Sequence, residues 1–368
     1  MFRDDCLLAL LALETGHVLH GNAIGVAGIR VGELVFNTAL TGYQEIISDP
    51  SYKEQIITFT NPHIGNTGIN PEDFESKKIH AAGIVLKNMS PIVSNWRATI
   101  SLNEYLQQQQ VIAISDIDTR GLTKLTRQFG ALRACIMAGD TDQDLAIKYA
   151  QKYSGLHGKN LSNDVCCTQS YIVNSNGQLH VVLVDFGVKS SILQVMVKLG
   201  CKVTVVPATT SAAEIMHLQP QAIVLSNGPG DPQACTATIA TIKQLLMQQI
   251  PIFGICLGHQ LLALAYGAKT YKMNFGHHGA NHPVQNVLNK KVYITSQNHS
   301  FAVDETTLTS DLKVTHRSLF DHSLQGFRHK TFAIYGFQGH PEAGPGPHDI
   351  TELFAEFLGE IKCQNVLT

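Results

Sequence analysis

From His180 onward, short apolar runs alternate with segments whose apolar positions recur at helical spacing. Val181-Val182-Leu183-Val184 is a near-continuous apolar run, the signature of a strand covered on both faces. The segment after it carries Ile192, Val195, Met196 and Leu199 three and four apart and stops at Gly200, which predicts a helix. Val203–Val206, Ala222–Leu225 and Ile252–Ile255 repeat the theme. This alternation predicts an α/β domain with a doubly wound, mostly parallel sheet and ligand sites at the carboxyl ends of its strands. The first 150 residues read differently. Val18–Asn22, Gln55–Thr60 and Val111–Ser115 are short apolar strands among turns, with helical stretches at Thr119–Phe129 and Asp142–Lys152. They predict an N-terminal α/β domain of mixed strands. Leu7–Leu13 is expected as its first buried strand, turning at Thr15-Gly16-His17. The acidic residues before this run, its length of seven and the lack of a small-residue cleavage site argue against a signal peptide. Between Tyr153 and Gln178 the pattern dissolves into Gly, Asn, Ser and a Cys-Cys pair. The expected organisation is therefore residues 1–152, a connection at 153–178, and a second domain at 179–368.

Three carboxyl ends carry chemistry. Gly254-Ile255-Cys256-Leu257-Gly258 has the form Gly-x-Cys-x-Gly. Small residues on either side let a sharp strand-to-helix turn close, as in the serine-hydrolase elbow, and leave the thiol at the corner. The N–H groups opening the next helix face the sulfur, a placement that favours a nucleophilic thiolate. A core cysteine is the competing reading, because free cysteines are often buried. The second end is Gln338-Gly339-His340-Pro341-Glu342, after the apolar run Phe332–Phe337. In extended chain, residues two apart point the same way, so Glu342 can hold one ring nitrogen of His340 and turn the other toward a thiol. An isolated His beside a Glu is commoner on a surface; its place after another strand, downstream of the elbow, links it to Cys256. The third end is Ser226-Asn227-Gly228-Pro229-Gly230. Its backbone amides, with that of Leu257, can hold an oxyanion, although the same residues make an ordinary turn.

Together these segments resemble the class I glutamine amidotransferases over about residues 178–362. Phe36–Glu45, with Thr41-Gly42-Tyr43-Gln44 inside it, is further similar to the small, glutamine-hydrolysing subunits of carbamoyl phosphate synthetases. So are Ser48–Tyr52, Asn61–Asn66, Asp116–Arg120 and Phe275–Pro283, and the similarity runs nearly end to end. The resemblance implies Cys256 as nucleophile, His340 as base and Glu342 as orienter. It implies a glutamine pocket made by Ser51, Gly228, Gly230, Leu257, Gln260, Asn298, Ser300 and Phe301. Ser300 stands where relatives often have Gly, and Gly344 where Ser is usual. A large synthetase subunit is the implied partner, in a heterodimer or higher oligomer with the N-terminal domain as contact surface. That partner would bind ATP and Mg, use bicarbonate, and make carbamoyl phosphate for arginine and pyrimidine synthesis. This chain has no phosphate-cradling Gly-rich loop with its lysine. The extra N-terminal domain argues against the glutaminases of anthranilate, GMP or CTP synthesis. A cysteine peptidase would cleave peptides without hydrolysing glutamine, and a non-catalytic binding subunit would lack the nucleophile or the base.

Bulk composition narrows the picture further. A net charge of −2, with 15% charged and 44% apolar residues, fits a soluble protein with no basic surface for nucleic acid and no membrane span. The eight cysteines form no C-x-x-C pair, and a reactive thiol suits a reducing compartment, so the cytoplasm is expected. His277, His278 and His282 invite a metal, but Gly276, Gly279 and Pro283 break the helical spacing that would align them, and no acidic or cysteine ligand accompanies them. No metal or cofactor is expected on this chain. His259 is expected to be a buried, hydrogen-bonded histidine and not a second base.

Overall fold

A computed structural model describes residues 7–366; Met1–Cys6, including the first of the eight cysteines, lie outside the described residues. The chain divides into two compact units, Met1–His157 with Asn274–His278, and Gly158–Met273 with Gly279–Thr368.

The first unit contains a closed barrel. Its strands are β1 (Leu8–Leu13), β2 (Val18–Gly25), β3 (Gly28–Asn37), β4 (Gln55–Phe59), β5 (Gly83–Val85), β6 (Ile112–Ser115) and β7 (Leu132–Ala138). They close in the order β1-β2-β6-β5-β4-β3-β7, with parallel pairs among β3, β4, β5 and β6 and antiparallel pairs elsewhere. Period-two alternation fills the barrel and clothes it. Leu11, Leu13, Ile56, Ile112, Ile114 and Ile136 pack in one cluster, while Leu10, Ala12, Cys135 and Met137 pack with Ala146 and Ala150 of the helix Gln143–Lys152.

The Thr41–Gln44 motif holds a loop segment of this unit in place. Gly42 has φ 76° and opens the helix Tyr43–Ser48. The Tyr43 hydroxyl donates to the Gly68 carbonyl at 2.5 Å, and the Gln44 side chain donates to Asn70 O at 2.6 Å while accepting from Asn70 N at 3.0 Å. A buried amide spending both ends on one loop backbone fixes that loop's register.

Residues 158–178 fall within the second unit. Tyr171–Val173 forms β8, an edge strand antiparallel to β10 (Cys201–Pro207). Its side chains are mostly exposed, so no buried alternation marks it in the sequence. The other strands are β9 (Leu179–Asp185), β11 (Ala222–Leu225), β12 (Ile252–Ile255), β13 (Thr270–Asn286), β14 (Val292–Val303), β15 (Leu312–Ser318), β16 (Leu324–His329) and β17 (Ile334–Phe337). The sheet order is β8-β10-β9-β11-β12-β17-β16-β15-β13-β14, and β10, β9, β11, β12 and β17 run parallel. Along β9, Val182 and Val184 join one core cluster while Val181 and Leu183 join the other, so both faces of the sheet are dry. Three helices matter below: α1 (Ser190–Lys198) after β9, α2 (Leu257–Ala265) after β12, and α3 (Glu352–Val366). The carboxyl ends of β9, β11, β12 and β17 lie side by side, which brings together chain segments far apart in sequence. Among the described residues, no helix is long and apolar enough to cross a membrane.

Candidate active site

Strand β12 ends at Ile255 and α2 begins at Leu257, so Cys256 makes the turn alone, with φ 52° and ψ −104°. A left-handed φ is uncommon for a residue with a side chain and stores roughly 1–3 kcal/mol of strain. Its surroundings enforce it. The Cys256 N–H donates to the Phe337 carbonyl (2.9 Å), the Cys256 carbonyl accepts from Gln260 N–H (3.1 Å), and Gly258 N–H donates to Ser226 O (3.0 Å). A Cβ on Gly254 would sit 2.5 Å from the Gly258 carbonyl oxygen, and one on Gly258 would sit 2.2 Å from that of Leu225. Both glycines are therefore steric requirements of helix crossing strand. The thiol is buried, with the Asn298 carbonyl 3.5 Å and the Gln338 Nε2 3.8 Å from Sγ.

His340 stands at the end of the neighbouring strand, its N–H donating to Ser296 O at 2.9 Å. Its Nδ1 lies 2.7 Å from Glu342 Oε1. The pairing is made by a turn at Pro341 and Glu342, closed by Ala343 N–H on the His340 carbonyl at 3.2 Å, and not by the extended alternation expected from sequence. A proline fixes φ and favours such a turn. His340 Nε2 makes no hydrogen bond within ordinary limits, and the Cys256 thiol is among the groups acting on the ring.

Glu342 has a second partner that the sequence did not reveal. The ammonium of Lys189, wholly buried just before α1, donates to Glu342 Oε1 at 2.9 Å and to the Ala343 carbonyl at 2.8 Å. Burial opposes ionisation of Glu342, but Lys189 and His340 together hold its carboxyl well below the usual range. Burial likewise opposes charge on His340; the Glu342 carboxylate outweighs it and, with the Cys256 thiol, raises the imidazole above its ordinary value against the repulsion of Lys189. A base of raised proton affinity beside a thiol is equipped to take its proton. The available signal for Lys189 was its place just past the carboxyl end of β9.

The expected oxyanion loop is closely packed. A Cβ on Gly228 would lie 2.2 Å from the Phe186 carbonyl oxygen, and Gly230 has φ 99° with a Cβ position 2.7 Å from Lys159 O. Asp231 fastens the loop, its N–H donating to Lys159 O at 2.9 Å and its carboxylate accepting from Gly158 N–H at 2.9 Å.

Of the expected glutamine pocket, Gly228, Gly230, Leu257, Gln260, Asn298, Ser300 and Phe301 belong to the second unit, and Ser51 to the first. Ser51 sits buried on the turn Pro50–Tyr52, its N–H donating to Asp49 Oδ1 at 2.9 Å. Ser300 lies inside β14 and is not among the residues of positive φ, so nothing there demands glycine. Gly344 does adopt φ 70°. Gln260 is held from one side by two acceptors. Its amide nitrogen is engaged by the Phe301 carbonyl at 2.7 Å and Gln338 Oε1 at 3.0 Å, so it offers a ligand an acceptor.

His259 is buried as expected, with the Gly336 backbone as the polar group acting on its ring. It packs on the Phe327 ring at 4.8 Å, and burial lowers its pKa to about 3. A neutral imidazole held this way is no second base. His277 and His278 fall in the first unit and His282 in the second. The free cysteines Cys135, Cys167, Cys201 and Cys235 are pushed by burial to about 12, 12, 11 and 12 respectively, leaving them as thiols at neutral pH.

Comparison with known proteins adds the family. The model for the glutamine amidotransferase class-I family matches residues 182–359, and that for the carbamoyl-phosphate synthase small chain, CPSase domain, matches residues 11–136. The carbamoyl phosphate synthase small chain of Thioalkalivibrio sulfidiphilus is 52% identical, covering 97% of this chain and 98% of its own length. That of Vibrio cholerae is 52% identical over 96% of this chain and 98% of its own, and that of Escherichia coli K12 is 51% identical over 95% and 96%. With near-complete coverage of both partners at such identity, the chain belongs to the carbamoyl phosphate synthase small chain family.

Proposed function

We propose that this chain is the glutamine-hydrolysing subunit of a carbamoyl phosphate synthase, and that it releases ammonia through a Cys256-His340-Glu342 triad. The observation that carries the reading is a buried imidazole at 2.7 Å from a carboxylate that a buried lysine keeps ionised, beside a cysteine on a strained elbow. His340 takes the thiol proton, and the Cys256 sulfur attacks the side-chain carbonyl of glutamine. The N–H of Leu257 and the Gly228–Gly230 loop hold the oxyanion. His340 returns the proton to the leaving nitrogen, ammonia departs, and water activated by the same imidazole hydrolyses the thioester. Gly228, Gly230, Leu257, Gln260, Asn298, Ser300 and Phe301 line the glutamine pocket on the doubly wound sheet.

The ammonia passes to a large partner subunit that binds ATP and Mg and makes carbamoyl phosphate from bicarbonate, in the cytoplasm. The first unit is the partner-facing domain in this reading. It exposes Leu40 (77%), Ile92 (71%) and Trp96 (92%), side chains of the kind a partner surface covers. The test is labelling of the folded chain with a glutamine-like chloroketone, followed by peptide mapping, and glutamine hydrolysis measured with and without the copurified large subunit. Label on Cys256, blocked by glutamine, is expected; label on Cys201 or Cys235 would contradict the assignment.

A further inference from the structure

We propose that Gln338 is a positioning residue for the nucleophile, its side-chain amide donating to Cys256 Sγ and favouring the ionised sulfur. The inference rests on the reading of Cys256 as the nucleophile. Gln338 is completely buried just past β17, its N–H donating to Gln325 O at 2.8 Å. Its Nε2 lies 3.8 Å from Sγ and its Oε1 3.0 Å from Gln260 Nε2.

The orientation of both amides follows from the bond chain. Gln260 Nε2 lies 2.7 Å from the Phe301 carbonyl oxygen, which can only accept, so that atom is the nitrogen. Its other hydrogen needs an acceptor, which makes the facing atom of Gln338 its oxygen and leaves the Gln338 NH₂ toward sulfur. Flipping either amide would oppose two donors or two acceptors.

A donor is what a thiolate requires. The thiol has a different partner, the Asn298 carbonyl at 3.5 Å, to which S–H donates. When the proton moves to His340, that carbonyl faces negative sulfur without a hydrogen between them. The Gln338 N–H offsets this repulsion, and hydrogen bonds to charged acceptors are the stronger class. Gln260, anchored on Phe301, keeps the donor aimed.

Among the titratable groups on the elements meeting here are His340 and Glu342 after β17, Lys189 before α1, His259 on α2 and His299 on β14. The variants that follow leave all five in place. The experiment is the rate of Cys256 alkylation by iodoacetamide as a function of pH in the full chain without glutamine, with peptide mapping of the product and thermal melting to establish folding. Gln338→Met is expected to move the midpoint up by about one pH unit, a tenfold loss of thiolate at neutral pH worth about 1.4 kcal/mol. Gln338→Asn, which withdraws the amide by one methylene, gives a shift of the same sign. Gln260→Met leaves Gln338 unaimed and gives a smaller one, so any folded variant decides the matter. Midpoints equal to the parent's, with Cys256 the labelled residue, overturn the proposal alone, even where glutamine turnover has fallen. Labelling of another cysteine in the parent overturns the nucleophile assignment and this proposal with it.

Discussion

In the proposed triad His340 and Glu342 carry different burdens, so His340→Asn and Glu342→Gln should differ in severity. Losing the base removes a contribution of about 10²–10⁴ in rate, so His340→Asn is expected to cut glutamine hydrolysis by at least a hundredfold. Glu342→Gln should leave a larger remnant, because the His340 backbone stays fastened to Ser296. Equal, mild losses in both would mean that another group is the base. Lys189→Met should fall between the parent and Glu342→Gln, since it unlocks the carboxylate without removing it. The same pair makes stability depend on pH. Glu342 is depressed in the fold, so its contribution is present above about 4.5 and is lost as pH falls through the folded value. His340 is raised, so its contribution is full below about 6.5 and declines as pH rises through its folded value. The difference in melting temperature between parent and Glu342→Gln is therefore expected to be greatest between pH 4.5 and 6.5 and to shrink on either side. A difference independent of pH would contradict the charge assignment. The candidate triad of Cys256, His340 and Glu342 was legible because local spacing marks each of them. Lys189 and Gln338 were not, because no spacing rule joins residues 153 apart; sheet order does.

At the scale of elements, the elbow depends on absent side chains. Gly258→Ala would press a methyl against the Leu225 backbone and Gly254→Ala one against the Gly258 backbone, neither of which can yield without moving α2 off the sheet. Each is expected to destabilise by about 2–3 kcal/mol or more, read as a lowered denaturant midpoint. Gly359→Ala, in α3 with open space around the added carbon, should instead stabilise by about 0.5–1 kcal/mol. Melting behaviour in the reverse order would refute the steric account. The parallel strands were readable from their apolar runs, which both faces of the sheet require. Closure of the first unit's barrel was not, since the same alternation serves an open sheet. The edge strand Tyr171–Val173 escaped for want of a buried face.

For the molecule as a whole, the proposed reaction divides labour between this chain and a partner. Trp96 is the single tryptophan and almost fully exposed, so its emission reports on that face of the first unit. A shift to shorter wavelength on adding the large subunit is expected; unchanged emission in a formed complex would place the contact elsewhere. Length and composition could indicate two domains but not which surface meets a partner, because exposure is a property of the folded chain. The central claim is that this chain supplies ammonia and nothing else to carbamoyl phosphate synthesis. The measurement that tests it most directly is the Cys256→Ser variant in the reconstituted complex, assayed on one preparation with glutamine and with ammonium salt. Serine is a far poorer nucleophile in a site arranged for sulfur. Synthesis from glutamine is expected to vanish while synthesis from ammonia persists at the parental rate. Loss of the ammonia-dependent rate with the complex intact would contradict the account.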